Sequence, residues 1–446
     1  MFPIIAELLE RFNDRLDTRA IVVDKDALSK GIPALLAHLE GKRWVLAADE
    51  NTWEVAGKRT AALLEAEGVE VLRYEIKADI AGEAPMCSDE LIDVFQAFLK
   101  DSGATSTIAI GAGTVNDIVK KGSHNLEIPM ACVATAPSMN GYTSGIAAVL
   151  SEGVKTTTPC RAPRVVIADV DIMAESPYRM ICSGLGDLMS KPVSNADWLL
   201  SAWLNDSFHS SEAMEIIEAG AAMLEGVAAK LPERDRDAVA GLTASLMLSG
   251  LAMSVAGSSS PASGGEHLIS HFIDMTAIAF DEPHDFHGCQ VGVGTVTTAF
   301  LYEKLQALDR NDIDVDRLVD ALLPWEEYEA QLESRFGPLF SAVVKHARDG
   351  YPKKEELRQR LNRLKENWEF LETKVRRTLR SSTSLKEELL SAQCPVLFQE
   401  LGVDRDRAFR AITHSKDIRN RYTILHLAWE LGLLDQWSEE ALQELE

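Results

Sequence analysis

Short apolar and β-branched runs alternate with longer amphipathic stretches through roughly the first 170 residues of the chain. This alternation is typical of a parallel sheet with helices on its faces, because consecutive parallel strands need a helical crossover between them. Helices are predicted over 52–67 and 90–100, with Gly68 and Gly103 as their stops. Strands are predicted at Trp44–Ala48, Val69–Tyr74, Thr107–Ile110, Met130–Ala134 and Val165–Ala168.

The pattern changes near Glu175, after which helical periodicity replaces the short strand-like runs. We therefore predict an α/β domain over 1–175, followed by an all-α domain over 176–446. Helices of the second domain are predicted over 211–230, 234–256, 268–280, 291–308, 355–379 and 404–415. The helices after residue 350 carry no motif, and we expect them to form a solvated surface or a subunit contact.

The charge and cysteine content of the 446-residue chain exclude several classes of protein. A formal net charge of −24 repels nucleic acids and anionic lipids, so we expect neither as a partner. The six cysteines form no CxxC pair, which favours reduced thiols over a disulfide framework or a thiolate zinc site. Apolar runs such as Ala131–Ala136 are shorter than the ~20 residues of a membrane span, and the N-terminus lacks a signal pattern. We expect a cytoplasmic protein.

The sequence GAGTVND, from Gly111 to Asp117, follows one predicted strand and opens a helical stretch. Glycines let a backbone approach phosphates closely, and the N–H groups at the start of a helix attract negative charge. The segment therefore fits a loop that binds a diphosphate. The alternative is a capping box formed by Thr114 and Asp117, which would start a helix without any ligand.

Two further segments follow predicted strands. Asp49 lies where nucleotide-binding sheets often place an acid against a ribose hydroxyl, although it could equally cap a helix near Thr52. The sequence TAPSMNGYTSG, from Thr135 to Gly145, could line the nicotinamide end of a cofactor. A turn held by hydroxyl and amide hydrogen bonds explains the same composition without a ligand.

A candidate metal site is dispersed over three segments: GLGDLMSKP, GGEHLISH and DFHGCQVGVG. They supply Asp187, His267 and His287, and one carboxylate with two imidazoles suits a divalent ion that keeps an open position for substrate. A single histidine of this kind is more often a hydrogen-bonded side chain than a ligand. The clustering favours a site, because four of the ten histidines lie between 267 and 287, and His271 is one helical turn from His267.

In chain order, GAGTVND, TAPSMNGYTS, GLGD, EHLISH and HGCQVGVG resemble the glycerol-1-phosphate dehydrogenases, and most closely their bacterial branch. That family lies within the superfamily of glycerol dehydrogenases, iron-type alcohol dehydrogenases and dehydroquinate synthases, and the resemblance covers Arg43 to Leu308. It implies a dehydroquinate synthase-like fold and a homo-oligomer, such as a homodimer. It also implies hydride transfer between NAD or NADP and dihydroxyacetone phosphate, to give sn-glycerol 1-phosphate.

The same resemblance assigns roles to individual residues. It implies a divalent ion, with zinc expected before nickel or iron, held by Asp187, His267 and His287. His271 matches a histidine that contacts the substrate, where it could orient the substrate or relay a proton. The residues that match cofactor contacts of the family are Gly113, Thr114, Asn116, Asp117, Thr135, Ser138 and Ser144.

Two residues decide how far the resemblance extends to the substrate. Asn140 stands where the family usually carries an aspartate, so this chain has one negative charge and one proton acceptor fewer beside the substrate. Lys191 is our candidate for contact with a substrate phosphate, because it follows Asp187 by four residues in one predicted helix. Three alternatives stay open: a polyol dehydrogenase, a dehydroquinate synthase-like lyase and a non-catalytic protein that binds NAD.

Overall fold

The computed structural model describes residues 2–77, 85–151 and 154–445. They divide into two compact units, each built from two stretches of chain. The first unit is Met1–Leu188 with Glu212–Ser259, and the second is Met189–Ser211 with Ser260–Glu446.

A six-stranded parallel sheet forms the centre of the first unit, with the strand order β1-β8-β5-β4-β2-β3. Every residue of β4, β5 and β8 is buried, as expected of strands covered on both faces. Strands β6 and β7 form a separate antiparallel hairpin. The strands are β1 Ala20–Asp24, β2 Arg43–Ala48, β3 Glu70–Glu75, β4 Ser106–Gly111, β5 Met130–Ala134, β6 Ile146–Ser151, β7 Val154–Pro159 and β8 Val165–Asp169.

Helices make up most of the remaining structure, and the predicted fold class, an α/β domain followed by helices, is confirmed. The helices are α1 Pro3–Arg11, α2 Ala27–His38, α3 Glu50–Thr52, α4 Lys58–Ala66, α5 Asp89–Ser102, α6 Gly113–Asn125, α7 Val170–Glu175, α8 Tyr178–Met189, α9 Lys191–Asn205, α10 Ser211–Ala222, α11 Arg236–Ala256, α12 Gly265–Phe280, α13 His287–Ala307, α14 Val315–Ala321, α15 Trp325–Phe336, α16 Phe340–Gly350, α17 Lys354–Glu366, α18 Trp368–Phe370, α19 Arg376–Thr378, α20 Ser382–Ser391, α21 Arg405–His414, α22 Ile424–Glu430 and α23 Leu434–Glu444.

Five strands lie within one residue of their predicted positions, but β1 and the hairpin were not predicted. Strand β1 is five residues long and gives too short an apolar run to stand out. Three predicted helices are interrupted. The 52–67 stretch contains a π-helical segment, Trp53–Gly57, the 211–230 stretch leaves the α-helix after Ala222, and the 355–379 stretch breaks after Glu366.

The two units divide the chain differently from the predicted boundary at 175. Helices α10 and α11 belong to the first unit, where α11 contacts β1, α7 and the turn at Gly141–Thr143. A Cβ atom on Gly250 would lie only 2.2 Å from Thr143 Oγ1, so α11 approaches this turn closely. Helical periodicity identifies α11 as a helix but carries no information about which unit it joins.

Helix α11 is also long and apolar enough to cross a membrane. The apolar runs considered in the sequence analysis were all shorter than a membrane span. The most apolar stretch of α11 has a mean hydropathy of 1.7, and 89% of that stretch is buried inside the protein. A buried core helix meets the same criteria of length and composition.

Candidate functional site

The predicted diphosphate loop lies where β4 ends and α6 begins. Ala112 is the N-cap of α6 and makes no side-chain cap, so the predicted alternative of a capping box between Thr114 and Asp117 is wrong. A Cβ on Gly111 would meet Val115 Cβ at 2.6 Å, so this glycine allows the tight turn. The first N–H groups of the helix therefore lack a side-chain partner of the usual capping kind, and an anion can take that place.

Asp117 is tied to the protein by its own side chain. Its Oδ2 accepts a hydrogen bond from the backbone N–H of Ala148 at 3.0 Å, and its Oδ1 accepts from Lys120 Nζ at 3.4 Å. The fully buried Lys120 also donates to the carbonyl oxygens of Gly141, at 2.8 Å, and Ile146, at 2.9 Å. These contacts fix α6 to the loop that follows β5. Asp117 thus has a positioning role in the structure, and its predicted contact with a cofactor stays a prediction.

Other predicted cofactor residues lie around the same two strand ends. Asn116 is fully buried, and its side-chain oxygen finds no hydrogen-bond partner among the described residues. Gly113 and Thr114 are partly exposed at the start of α6. Thr135, the first residue after β5, donates its backbone N–H to Gly111 O at 3.2 Å. A buried amide oxygen without a partner, beside an uncapped helix start, fits a site that a polar ligand completes.

Asp49 caps a helix, which is the second of its two predicted roles. Its carboxylate accepts from Thr52 N at 2.8 Å, while Thr52 Oγ1 accepts from Asp49 N at 3.1 Å. The residue follows β2 directly, so its position at the end of a parallel strand also agrees with the predicted ribose contact, which stays a prediction.

The loop from Thr135 to Gly145 is held by its own polar groups, as its structural interpretation predicted. Tyr142 donates to Ala136 O at 2.6 Å, and Thr143 donates to Met247 O at 2.6 Å. Ser144 is fully buried and donates to Gly141 O at 3.0 Å. Ser138 is 7% exposed, and its carbonyl accepts from Ser183 Oγ at 2.9 Å. Hydrogen bonds therefore hold the loop in place, and its contact with nicotinamide stays a prediction.

Asn140, at the turn of this loop, contacts Asp187 on α8 in the same unit. Its backbone N–H donates to Asp187 Oδ2 at 3.0 Å, and its side-chain Nδ2 donates to Asp187 Oδ1 at 2.9 Å. Both residues are buried, at 9% and 1% exposure. The amide that replaces the family's carboxylate therefore acts here as a donor that orients a predicted metal ligand.

The second unit brings His267, His271 and His287 together. The ring centroids of His267 and His287 lie 5.2 Å apart, those of His271 and His287 lie 5.3 Å apart, and those of His267 and His271 lie 6.3 Å apart. Helix α12 carries the first two residues one turn apart, and His287 begins α13. The sequence-predicted clustering of these histidines is thus present in the structure.

Hydrogen bonds fix the orientation of two of these rings. The buried Glu266 accepts at Oε1 from Gly264 N at 2.7 Å and lies 2.8 Å from His267 Nδ1. His287 Nδ1 lies 2.9 Å from Ser270 Oγ. When Nδ1 binds the protein, Nε2 is the nitrogen that binds a metal, and such outer partners set the tautomer of metal-bound histidines.

Asp274 is a second candidate carboxylate that the sequence analysis missed. Ligand atoms of His271, Asp274 and His287 all lie within 4.8 Å of one another. Asp274 Oδ1 also accepts from Gln290 Nε2 at 2.8 Å. The predicted set instead uses Asp187, which belongs to the first unit, and this set stays a prediction.

Lys191 is not in the same helix as Asp187, contrary to the prediction. Helix α8 ends at Met189 and α9 starts at Lys191, because Pro192 cannot donate a backbone hydrogen bond to a preceding turn. Lys191 is only 5% exposed, and its Nζ donates to Ser190 Oγ at 3.2 Å and Ala262 O at 3.4 Å. It is therefore an interior cation rather than an ordinary surface lysine.

The sequence analysis missed Glu266, Ser270 and Lys120. Glu266 and Ser270 lie inside the GGEHLISH motif, and an acid next to a candidate ligand was a usable signal. Lys120 follows Asp117 by three residues, the spacing of a helical ion pair. Nothing in the sequence showed that Lys120 would bond to carbonyl oxygens 21 and 26 residues away.

Sequence alignments with known relatives extend over nearly the whole chain. A glycerol-1-phosphate dehydrogenase of Bacillus subtilis, named as using NAD(P)+, is 30% identical over 415 residues, which is 92% of this chain and 92% of that protein. This chain belongs to the glycerol-1-phosphate dehydrogenase family. A glycerol-1-phosphate dehydrogenase from Bacillus licheniformis is 29% identical over 423 residues, which is 94% of this chain and 90% of that protein. Residues 22–177 also match the family described as iron-containing alcohol dehydrogenase.

Crystal structures at low identity share the fold of this glycerol-1-phosphate dehydrogenase family member. A glycerol dehydrogenase from Schizosaccharomyces pombe superimposes with a TM-score of 0.61 at 16% identity, covering 96% of this chain and 91% of that chain. A probable glycerol dehydrogenase from Sinorhizobium meliloti gives the same TM-score and identity, covering 95% and 98%. The family predicted from the motifs, an oxidoreductase family that uses NAD(P) and a metal, is confirmed.

Proposed function

We propose that this protein reduces dihydroxyacetone phosphate to sn-glycerol 1-phosphate with NADH or NADPH, in a reaction that needs a divalent metal ion. One observation carries the proposal: the three-histidine cluster, with two rings fixed through Nδ1, occurs in a chain that aligns with a glycerol-1-phosphate dehydrogenase over 92% of both lengths. In the balanced reaction, a hydride from the cofactor and a proton from the protein side add across the ketone.

The chemistry of the predicted ligands suits a borderline divalent ion. Asp187, His267 and His287 offer one carboxylate oxygen and two imidazole nitrogens, which is the donor set of catalytic zinc sites. Each has an outer partner: Asn140 for Asp187, Glu266 for His267 and Ser270 for His287, with the distances given above. When bound, such an ion stabilises negative charge that develops on a substrate oxygen. Zinc is the first candidate, ahead of nickel or iron.

The protein's own groups bind the cofactor and handle the proton. The start of α6 and the loop after β5 bind the dinucleotide in this proposal, with Gly113, Thr114 and Asn116 closest to the diphosphate. His271 stacks on His287 with an interplanar angle of 26° and delivers the proton to the substrate oxygen. Lys191 binds the substrate phosphate. A cytoplasmic homo-oligomer is the setting we propose.

The test uses full-length protein stripped with a chelator and reloaded with zinc or nickel. We expect metal-dependent oxidation of NADH with dihydroxyacetone phosphate and much slower oxidation with dihydroxyacetone. Chiral analysis should identify sn-glycerol 1-phosphate. Preference for dihydroxyacetone would instead make the protein a polyol dehydrogenase. NADH binding without turnover of either substrate would contradict the proposal.

The choice between the two carboxylates can be tested by matched substitutions. We expect Asp187→Asn to weaken zinc affinity at least 100-fold and Asp274→Asn to weaken it less than tenfold, because Asp187 is the carboxylate that the family resemblance assigns to the metal. Competition with a fluorescent chelator measures both. A larger loss in Asp274→Asn would assign the metal to His271, Asp274 and His287 instead.

A further inference from the structure

The C-terminal region places a second, partly buried cation, Arg421, next to Lys191, the one predicted for substrate phosphate. Arg421 Nη1 donates to the carbonyl of Ser263 at 2.7 Å. Lys191 Nζ donates to the carbonyl of the preceding residue, Ala262, at 3.4 Å. The two cations therefore hold adjacent peptide groups, directly before Gly264 and the start of α12.

Two hydrogen bonds fix the chain directly after Arg421. Ile424, the first residue of α22, donates its backbone N–H to Asp197 Oδ1 at 2.7 Å. The hydroxyl of Tyr422 donates to Glu430 Oε2 at 2.7 Å. A guanidinium held by such a backbone is pre-organised, and its planar fork of five N–H donors suits the oxygens of a phosphate.

Arg421 interacts electrostatically with two acids and with a second arginine, Arg419. Burial lowers the pKa of Arg421, while the carboxylates of Glu266 and Asp197 raise it. Burial and the charge of Arg421 lower the pKa of Arg419 to about 10. An arginine with a lowered pKa has a destabilised cation, and an added anion relieves that destabilisation.

The nearby acids already have other hydrogen-bond donors. Asp197 accepts from Gly265 N at 2.7 Å and from Tyr302 at 2.6 Å, as well as from Ile424. Burial and the charge of Glu266 raise the pKa of Asp197 to about 7, so part of it is protonated at neutral pH. Glu266 accepts from Gly264 N and contacts His267. These acids therefore hold the start of α12 through its backbone N–H groups.

We propose that Arg421 and Lys191 together bind the phosphate of the substrate, so that the C-terminal region sets the preference for a phosphorylated over a free polyol. This inference rests on the proposed function and adds a ligand to the same site. It gives the chain beyond residue 350 a role that the sequence analysis did not find.

The test compares Arg421→Gln and Arg421→Lys with a control in the zinc-loaded, full-length enzyme. Arg377→Gln is the matched control, because Arg377 is an exposed arginine of α19 in the same C-terminal region. For Arg421→Gln we expect KM for dihydroxyacetone phosphate to rise 10- to 100-fold, with at most a threefold change for dihydroxyacetone. Arg421→Lys keeps the charge and should raise KM three- to tenfold. The control should leave KM within twofold.

A second measurement uses inorganic phosphate as the probe and does not depend on turnover of the proposed substrate. Phosphate should raise the melting temperature of the zinc-loaded wild type and of Arg377→Gln, and should do so much less for Arg421→Gln. Equal losses for both polyols, or an unchanged response to phosphate, would overturn the inference. If phosphate binding depends on Arg421 while dihydroxyacetone phosphate is not reduced, the phosphate site stands and the proposed function fails. If Arg421→Gln does not fold, Arg421→Lys decides.

Discussion

Asn140 occupies a position at which the family usually has a substrate-contacting aspartate, but its side chain here donates a hydrogen bond to Asp187. From the sequence it was a missing carboxylate beside the substrate. In the structure its backbone N–H and its side-chain Nδ2 each donate to one oxygen of Asp187, and an aspartate at position 140 would lack the side-chain donor. The sequence could identify the unusual residue but not its partner, because 47 residues separate the two.

Asn140→Asp should destabilise the metal-free protein by about 1–3 kcal/mol at pH 8, because a carboxylate would replace a donor that lies 2.9 Å from another carboxylate. Asn140→Ala should cost less than Asn140→Asp, since it removes one donor to Asp187 without adding a second negative charge. Urea unfolding of chelator-stripped protein measures both. Zinc should restore more stability to Asn140→Asp than to the wild type. A metal-free Asn140→Asp protein as stable as the wild type would contradict this account.

Glu266→Gln tests the outer partner of His267. Glutamine keeps an oxygen that can accept from Gly264 N and His267 Nδ1 but removes the negative charge. We expect zinc affinity to fall 10- to 100-fold, as is usual for such outer partners, with little change in melting temperature of the metal-free protein. The exposed Glu366→Gln is the control for loss of one charge. Equal zinc affinity in both variants would leave Glu266 without this role.

At the scale of elements, close approaches of backbone decide where the loop after β5 lies. A Cβ on Gly184, in α8, would fall 1.8 Å from the carbonyl oxygen of Pro137. The sequence predicted the strand before this loop and a helix that contains Asp187. It could not predict which helix would touch which loop, because those contacts join residues far apart in the chain.

Gly184→Ala and Gly113→Ala form a matched pair. Gly184→Ala must push α8 away from Pro137, and we expect a loss of about 1–3 kcal/mol in the free energy of unfolding together with weaker zinc binding. On Gly113 a Cβ would lie 3.5 Å from Met139 Cγ, an ordinary contact. Gly113→Ala should therefore leave stability within about 1 kcal/mol while weakening NADH binding, since Gly113 begins α6. Urea unfolding and fluorescence titration with NADH measure the two effects, and a reversed pattern would contradict them.

At the scale of the whole molecule, the sequence predicted the fold class, the family and the histidine cluster. It did not predict that the chain passes between two compact units more than once. It also gave no sign of the polar interior of the second unit, where Lys416, Asp417 and Glu430 are all buried. Composition reports charged residues as a total and carries no information about which of them pair inside.

This interior makes stability depend on pH. Burial, followed by repulsion from Lys416 and Arg360, lowers the pKa of His426 to about 3. The unfolded chain takes up a proton near pH 6.5 that the folded protein refuses until about pH 3, so stability is lost as pH falls through this window. One such group contributes a slope of up to about 1.4 kcal/mol per pH unit.

His426→Gln should therefore flatten the decline in unfolding free energy between pH 6.5 and pH 5, measured by urea unfolding. His284→Gln is the control, because His284 is exposed. His414, whose pKa burial lowers to about 4, supplies a remaining decline of the same sign in both variants. Parallel curves for His426→Gln and the wild type would rule out this source of pH dependence.

The interleaved course of the chain also bears on how the protein emerges from the ribosome. The last strand of the sheet, β8, ends at Asp169, but α11, which contacts β1, is complete only at Ala256. The ribosome must therefore synthesise nearly ninety residues after β8 before the helix that contacts β1 is complete. During that interval the nascent chain exposes apolar surface, which is the usual substrate of a holdase chaperone. A fragment cut at residue 175 would remain permanently in that state, so this protein cannot be divided into its two halves by a single cut.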